Sequence, residues 1–286
     1  MTSSESNQGR PLFHPHLLTD QVALITGGRS GIGYQTAELF LSLGAKVMIA
    51  SRDEKRLKQA QVELQRHTPN GDTRVAAHPC DIREIEQVQQ LAEEVMTRYG
   101  RLDMLINNAG GQFPSLAEMI SDRGWEAVIN NNLNGTFYVT REMAKVFFIP
   151  QKSGVIVNVI AGISRGFPGM AHTGAARAGV ENLTKTLAQE WASYGIRINC
   201  VAPGIIESSG LDTYPSQVRV LLDQAKEHIP LKRLGQCDDV AHAICFLSSE
   251  LSAYISGTTL YVDGAQHLNF NQLGLIEAIR KQLSLV

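Results

Sequence analysis

The chain has 286 residues, enough for one large α/β domain or two small ones, and its 43% hydrophobic content is ordinary for a soluble globular protein. A net charge of −2 gives no basic footprint for nucleic acid. No apolar run approaches the ~20 residues a membrane helix needs. Residues 1–17 are polar, lack an apolar signal core and read as a flexible lead. Cys80, Cys200, Cys237 and Cys245 are scattered, with no C-x-x-C pair. That pattern fits reduced, mostly buried thiols of a cytoplasmic protein and offers no metal site.

Strand and helix patterns alternate from residue 20 to residue 262. Val22-Ala23-Leu24-Ile25 reads as a first buried strand, followed by a glycine turn and a helix to about Leu43. Lys46 to Ser51 is a second strand, and Leu57, Ala60 and Leu64 recur at helical spacing after it. Arg74 to His78 is a short third strand. Ile85, Val88, Ala92, Val95 and Tyr99 form one helix face. Met104-Leu105-Ile106 is a fourth strand, and a long helix spans about Asp122 to Phe148. Val155 to Val159 is a fifth strand, about Met170 to Ser193 a second long helix, Ile196 to Val201 a sixth strand and Thr259 to Val262 a seventh. Strands joined through single helices need crossovers, which predicts a seven-stranded parallel sheet with helices on both faces. This is a doubly wound Rossmann α/β domain over 18–268. Ligands of such sheets bind outside the carboxyl ends of the strands.

Thr26-Gly27-Gly28-Arg29-Ser30-Gly31-Ile32-Gly33 sits between the first strand and its helix. Glycines there let the backbone approach a pyrophosphate, and the helix N-terminus offers free N–H groups to it. The second strand's tip selects the cofactor. An NAD site usually carries a carboxylate there to accept from the ribose 2′-hydroxyl. Here the tip reads Ala50-Ser51-Arg52. A serine and a guanidinium suit a 2′-phosphate, and Arg29 adds a second positive group, so NADP(H) is expected.

Together with Asp81-Ile82, Asn107-Asn108-Ala109-Gly110, Asn132-Leu133-Asn134-Gly135, Pro203-Gly204 and Val262-Asp263-Gly264, these motifs resemble the short-chain dehydrogenase/reductase superfamily over roughly residues 18 to 268. The resemblance implies cofactor contacts from Gly27, Arg29, Ser30, Gly31, Ile32, Gly33, Ser51 and Arg52. It implies that Asp81 and Ile82 flank the adenine. Asn107, Asn108, Ala109 and Gly110 belong to the path to the nicotinamide ribose, and Pro203, Gly204 and Ile206 cover the nicotinamide.

The chain then departs from that superfamily. Its members usually reduce carbonyls with a serine, a tyrosine and a lysine, the last two as Tyr-x-x-x-Lys. Here the serine slot holds Ile160, the tyrosine slot Thr173 and the lysine slot Arg177; Asn132 alone matches. An aliphatic alcohol is a far weaker acid than tyrosine, so ordinary ketone reduction is expected to be impaired. Arginine keeps its charge and can still hold ribose hydroxyls.

Reduction of an α,β-unsaturated thioester tolerates the loss, because its oxygen needs only stabilisation as an enolate. The segment His172 to Lys185 and Gly110-Gly111-Gln112-Phe113 resemble the peroxisomal trans-2-enoyl-CoA reductase branch, with 2,4-dienoyl-CoA reductases as neighbours. The position of that branch's proposed acid holds Glu181 here. The candidate catalytic set is Asn132, Thr173, Arg177 and His172, with Gln112 as a further donor. His172 is the member expected to titrate near neutrality. The implied activity is NADPH-dependent reduction of an unsaturated acyl-CoA. A 2,4-dienoyl-CoA reductase, a carbonyl or alcohol dehydrogenase, and an inactive NADP(H)-binding protein stay open.

Residues 205–235 correspond to the superfamily's substrate lid. Gly204 and Gly210 are candidate hinges, and Arg219, Lys226, Lys232 and Arg233 are candidates for coenzyme A phosphates. Residues 269–286 read as a helical tail with Leu273, Ile276, Ile279 and Leu283 on one side, and a homotetramer is implied. The sequence ends Ser284-Leu285-Val286, which differs from the Ser-Lys-Leu peroxisomal address.

Overall fold

The computed structural model describes residues 12–67, 74–208 and 225–268. The seven expected strands are β1 (Val22–Thr26), β2 (Lys46–Ser51), β3 (Val75–Pro79), β4 (Met104–Asn107), β5 (Gly154–Val159), β6 (Ile196–Pro203) and β9 (Thr259–Val262). They form one sheet in the order β3-β2-β1-β4-β5-β6-β9. Every pairing in it is parallel. The order reverses between β1 and β4, where Thr26 pairs with Asn107. That reversal opens a crevice at the carboxyl ends of the strands.

Alternation along the strands divides the core. Ala23, Ile25, Val47 and Ile49 join Phe40, Leu57, Leu64 and Ile244 on one face. Val22, Leu24, Met48 and Leu105 join Leu91, Val139, Phe147 and Phe148 on the other. The helices on the first face are α1 (Gly31–Ser42), α2 (Glu54–His67) and α8 (Cys237–Ser248). α8 carries no strong sequence motif, but a capping box between Gln236 and Asp239 starts it. α3 (Ile85–Tyr99), α5 (Gly135–Met143) and α7 (Ala171–Glu190) cover the second face.

The long helix expected over about 122–148 is one helical stretch with two wide turns. α4 (Asp122–Ile129) passes through a π segment, Asn130–Asn134, into α5. A second π segment, Ala144–Phe148, leads into α6 (Ile149–Gln151). Single π turns often mark functional sites, and the first one holds Asn132. A two-residue parallel pair, β7 (Ile206–Glu207) with β8 (Gly235–Gln236), escaped the sequence reading because two residues have no period. It ties together the two ends of the expected lid.

Residues 209–224 of the lid, with Gly210 and Arg219, lie outside the described residues, as do the 269–286 tail and most of the N-terminal lead. Among the described residues no helix is long and apolar enough to cross a membrane, and no group of three or more His, Cys, Asp or Glu could hold a metal.

Candidate active site

The glycine loop is a cradle that side chains would fill. A Cβ on Gly28 would meet Ile49 Cγ2 at 2.6 Å, and one on Gly33 would meet the Gly27 carbonyl oxygen at 2.6 Å. Gly27 has φ +68°, which favours glycine. Asn108 supports the loop from below: its Nδ2 donates to the Thr26 and Gly27 carbonyls at 3.1 and 3.2 Å. Thr26 Oγ1 in turn accepts the amides of Asn108 and Ala109, both at 3.1 Å. At the start of α1, Ser30 makes no side-chain cap and the first turn carries no acidic residue. The first-turn N–H groups therefore face the crevice without a built-in anion, and the residues fit a dinucleotide pyrophosphate.

At the second strand's tip, Ser51 pairs with Pro79 and its carbonyl accepts from Cys80 N at 3.1 Å. Asp53 turns away to cap α2, accepting from Arg56 N at 3.1 Å. Arg52 remains exposed beside Ser51. Asp81 is held by Arg83, whose Nε lies 2.9 Å from Oδ1 and whose Nη2 lies 2.5 Å from Oδ2. The hydrogen bonds from Arg83 hold the Asp81 carboxyl below its ordinary range, and the charge of Arg52 acts in the same direction. Nothing in the sequence motif marked Arg83. Ile82 is buried and packs where a Cβ on Gly135 would sit.

The central positions divide into supports and exposed chemistry. Asn107 is turned into the core, donating at 2.8 Å to both Thr140 Oγ1 and Asn158 Oδ1, so its side chain does not line a ribose path. Asn132 donates through Nδ2 to the carbonyls of Gly111 at 2.7 Å and Val128 at 2.8 Å, and its Oδ1 accepts from Gly111 N at 3.2 Å. Both of its amide protons are committed. It therefore fixes the 110–111 loop, and the expectation of a free donor to substrate is corrected: both donor protons are held by backbone carbonyls.

Arg177 projects from α7 beneath that loop. Its Nη1 donates to the Val159 carbonyl at 2.9 Å, and its Nη2 fills the space a Cβ on Gly110 would need. The residue is 8% exposed. No described carboxylate pairs with it. Burial lowers its pKa to about 10, which leaves it cationic at neutral pH.

One turn earlier, Thr173 and His172 are both fully buried. His172 Nδ1 accepts from Thr173 N at 2.8 Å and lies 3.3 Å from Thr173 Oγ1, while Nε2 has no partner among the described residues. Its ring meets Phe113 edge-on at 4.6 Å between centroids. Burial holds the imidazole below its ordinary pKa, against an opposing pull from the Met170 backbone. Burial works against the expectation of a histidine titrating near neutrality, because it disfavours the charged form. Ile160, in the serine slot, is buried.

On the other side of the crevice, Pro203 ends β6 and Gly204 N donates to the Val262 carbonyl at 3.0 Å. Ile206 is buried. Of the described lid cations, Arg233 forms a double bond pair with Asp239 at 2.6 and 3.0 Å, and Lys232 reaches the Glu227 carbonyl at 2.8 Å. Gln112 is exposed on the loop above the site.

The family model described as Enoyl-(Acyl carrier protein) reductase matches residues 27–267. A protein of Bacillus subtilis named probable 2,4-dienoyl-CoA reductase [(2E)-enoyl-CoA-producing] is 38% identical over 251 residues, 87% of this chain and 97% of its own length. A 3-oxoacyl-[acyl-carrier-protein] reductase of Thermotoga maritima is 38% identical over 249 residues, 86% of this chain and 98% of its own. Among solved structures, the citronellol catabolism dehydrogenase of Pseudomonas aeruginosa superposes with a TM-score of 0.78 at 40% identity, covering 90% of this chain and 98% of its own.

Proposed function

The chain belongs to the short-chain dehydrogenase/reductase family, whose members are nicotinamide-dependent oxidoreductases, and on that premise we propose that it is an NADPH-dependent reductase of the conjugated carbon–carbon double bond of an unsaturated acyl-CoA. The observation that carries this reading is Arg177. It is buried, without a described carboxylate partner, in the lysine slot, and the tyrosine slot one turn away holds Thr173.

Reduced nicotinamide, when bound, supplies a hydride. The chain's residues account for the rest. The α1 N-terminus and the glycine cradle would hold the pyrophosphate, and Arg177 would supply donors to the nicotinamide ribose. Its charge sits in a water-poor site where negative charge forming nearby is strongly favoured. In an unsaturated thioester that charge collects on the thioester oxygen as an enolate. Stabilisation by one good donor contributes ~3 kcal/mol to such a step. The enolate oxygen needs no strong acid, and the α-carbon takes its proton from water.

A ketone makes a different demand. Its alkoxide must be protonated as it forms, and the described residues of the site offer no group suited to that at neutral pH. Thr173 is too weak an acid, burial disfavours the charged form of His172, and Arg177 keeps its protons.

The substrate name of the Bacillus subtilis relative favours a 2,4-dienoyl thioester as a second reading within the same chemistry. The test is a panel of trans-2-enoyl-CoA, 2,4-dienoyl-CoA and 3-ketoacyl-CoA thioesters, followed by NADPH absorbance. Turnover of an unsaturated thioester, with deuterium from labelled NADPH on a newly saturated chain carbon rather than on a carbinol carbon, supports the reading. Robust 3-ketoacyl reduction without any double-bond reduction would sink it. Tight NADPH binding with no turnover would favour a cofactor-binding protein without catalysis.

A further inference from the structure

Arg83 is absorbed by none of the motifs, and its geometry is specific. It lies two residues after Asp81 and folds back on it, so that its backbone N and Nε both reach Oδ1, at 3.1 and 2.9 Å. Nε also reaches Oδ2 at 3.1 Å and Nη2 does so at 2.5 Å. A planar guanidinium holding both oxygens of one carboxylate is among the stronger and more directional ion-pair arrangements. The pair is partly shielded, with side-chain exposures of 36% for Arg83 and 15% for Asp81.

Its position gives the pair a consequence. β3 runs beside β2, with Pro79 opposite Ser51, so Asp81 follows the strand end that adjoins Ser51 and Arg52. That tip is where dinucleotide-binding folds contact the adenosine ribose. Asp53, the other carboxylate nearby, is turned to Arg56 at the start of α2. A bare Asp81 would place a negative charge beside the cofactor's ribose end and oppose a 2′-phosphate.

We propose that Arg83 is a specificity-determining residue: by clamping both oxygens of Asp81 it masks the carboxylate, leaving the β2 tip with the net positive charge of Arg52 and receptive to a 2′-phosphorylated dinucleotide. The inference rests on the NADP(H) reading and deepens it. Arg83 acts through Asp81, so its effect depends on the aspartate's charge and not on a contact of its own.

The dependence makes a double-mutant cycle the decisive experiment. NADPH and NADH are titrated by nucleotide fluorescence into the wild type, Arg83→Ala, Asp81→Asn and the double variant. Arg83→Gln replaces the alanine variant if that one does not fold by circular dichroism. Arg83→Ala should raise the NADPH Kd about 10-fold and change the NADH Kd by less than about 2-fold. In the Asp81→Asn background the same Arg83→Ala change should alter the NADPH Kd by less than about 2-fold, because the charge needing a mask is already gone. An Arg83→Ala effect that is as large in the Asp81→Asn background as in the wild type overturns the masking role, as does equal loss for both nucleotides. A wild type that binds NADH as tightly as NADPH defeats the NADP(H) reading itself. A wild-type NADPH preference that survives Arg83→Ala defeats only this inference.

Discussion

Arg177 Nη2 occupies the space that a β-carbon on Gly110 would require. The glycine is therefore needed for what lies beneath it. The loop must pass close over a guanidinium while Asn132 pins the next residue, Gly111, through both its N–H and its carbonyl. Gly110→Ala should push either Arg177 or the loop out of place. The expected result is a fall of about 100-fold in kcat/KM, the scale of a 1 Å misplacement at a reacting centre, with the fold retained by circular dichroism.

Arg177 itself sets stability against activity. A buried charge without a carboxylate partner is costly to bury. Arg177→Met should leave the Tm unchanged or raise it by a few degrees, lower turnover of the unsaturated thioester by about 100-fold and raise the NADPH Kd. A Tm loss of many degrees with unchanged turnover would show the residue to be structural. Arg177→Lys keeps the charge and should retain more activity than the methionine variant.

The pH profile follows from two displaced groups. Burial holds His172 below its ordinary value of 6.5 and places Arg177 at about 10. Neither changes charge between pH 7 and about pH 9, so kcat for double-bond reduction should be flat across that window. Stability has a separate signature. Because the folded state resists protonating His172, the unfolded chain binds the extra proton first. Stability from this site is complete above about pH 6.5 and declines as pH falls below it. Chemical denaturation of His172→Gln should show a shallower acid-side loss than the wild type.

Asn132→Asp tests the clamp. The substitution removes two donors and leaves the Gly111 and Val128 carbonyls without theirs, which should lower stability by about 1–3 kcal/mol in urea denaturation. Because the residue acts by placing the 110–111 loop above Arg177, turnover should fall with it. If the side chain only met substrate, stability would stay put.

A homotetramer is the expected assembly, with α4, α5 and α7 forming one interface and the β9 edge another. Tyr254 and Leu251, after α8, are exposed apolar side chains available for burial. Light scattering should give about four times the 31.3 kDa subunit mass. A stable monomer at micromolar concentration would contradict it.

Much of this protein was legible in the sequence because the signals are local. Buried parallel strands read as apolar runs, and the expected strand limits agree with the structure to within a residue or two, as with Arg74–His78 against Val75–Pro79. The glycine loop was legible because strand, turn and helix adjoin in the chain. The replacements at Thr173 and Arg177 were legible because slots are counted along a helix, and that at Ile160 because the superfamily's spacing leads back to it.

The sequence by itself thus determined the doubly wound sheet, the glycine cradle after β1 and the absence of a tyrosine from α7. Only the tertiary structure decided what the polar side chains do. Asn132 and Gly111 lie 21 positions apart, and Asn107 and Asn158 lie 51 apart, so no local pattern records that the first asparagine clamps a loop and the second pair closes a core. The environment of His172 was likewise invisible, because a histidine's charge depends on the packing above it, here the ring of Phe113. The same holds for Arg177, whose chemistry comes from being buried without a described carboxylate, and burial is a property of the folded chain alone.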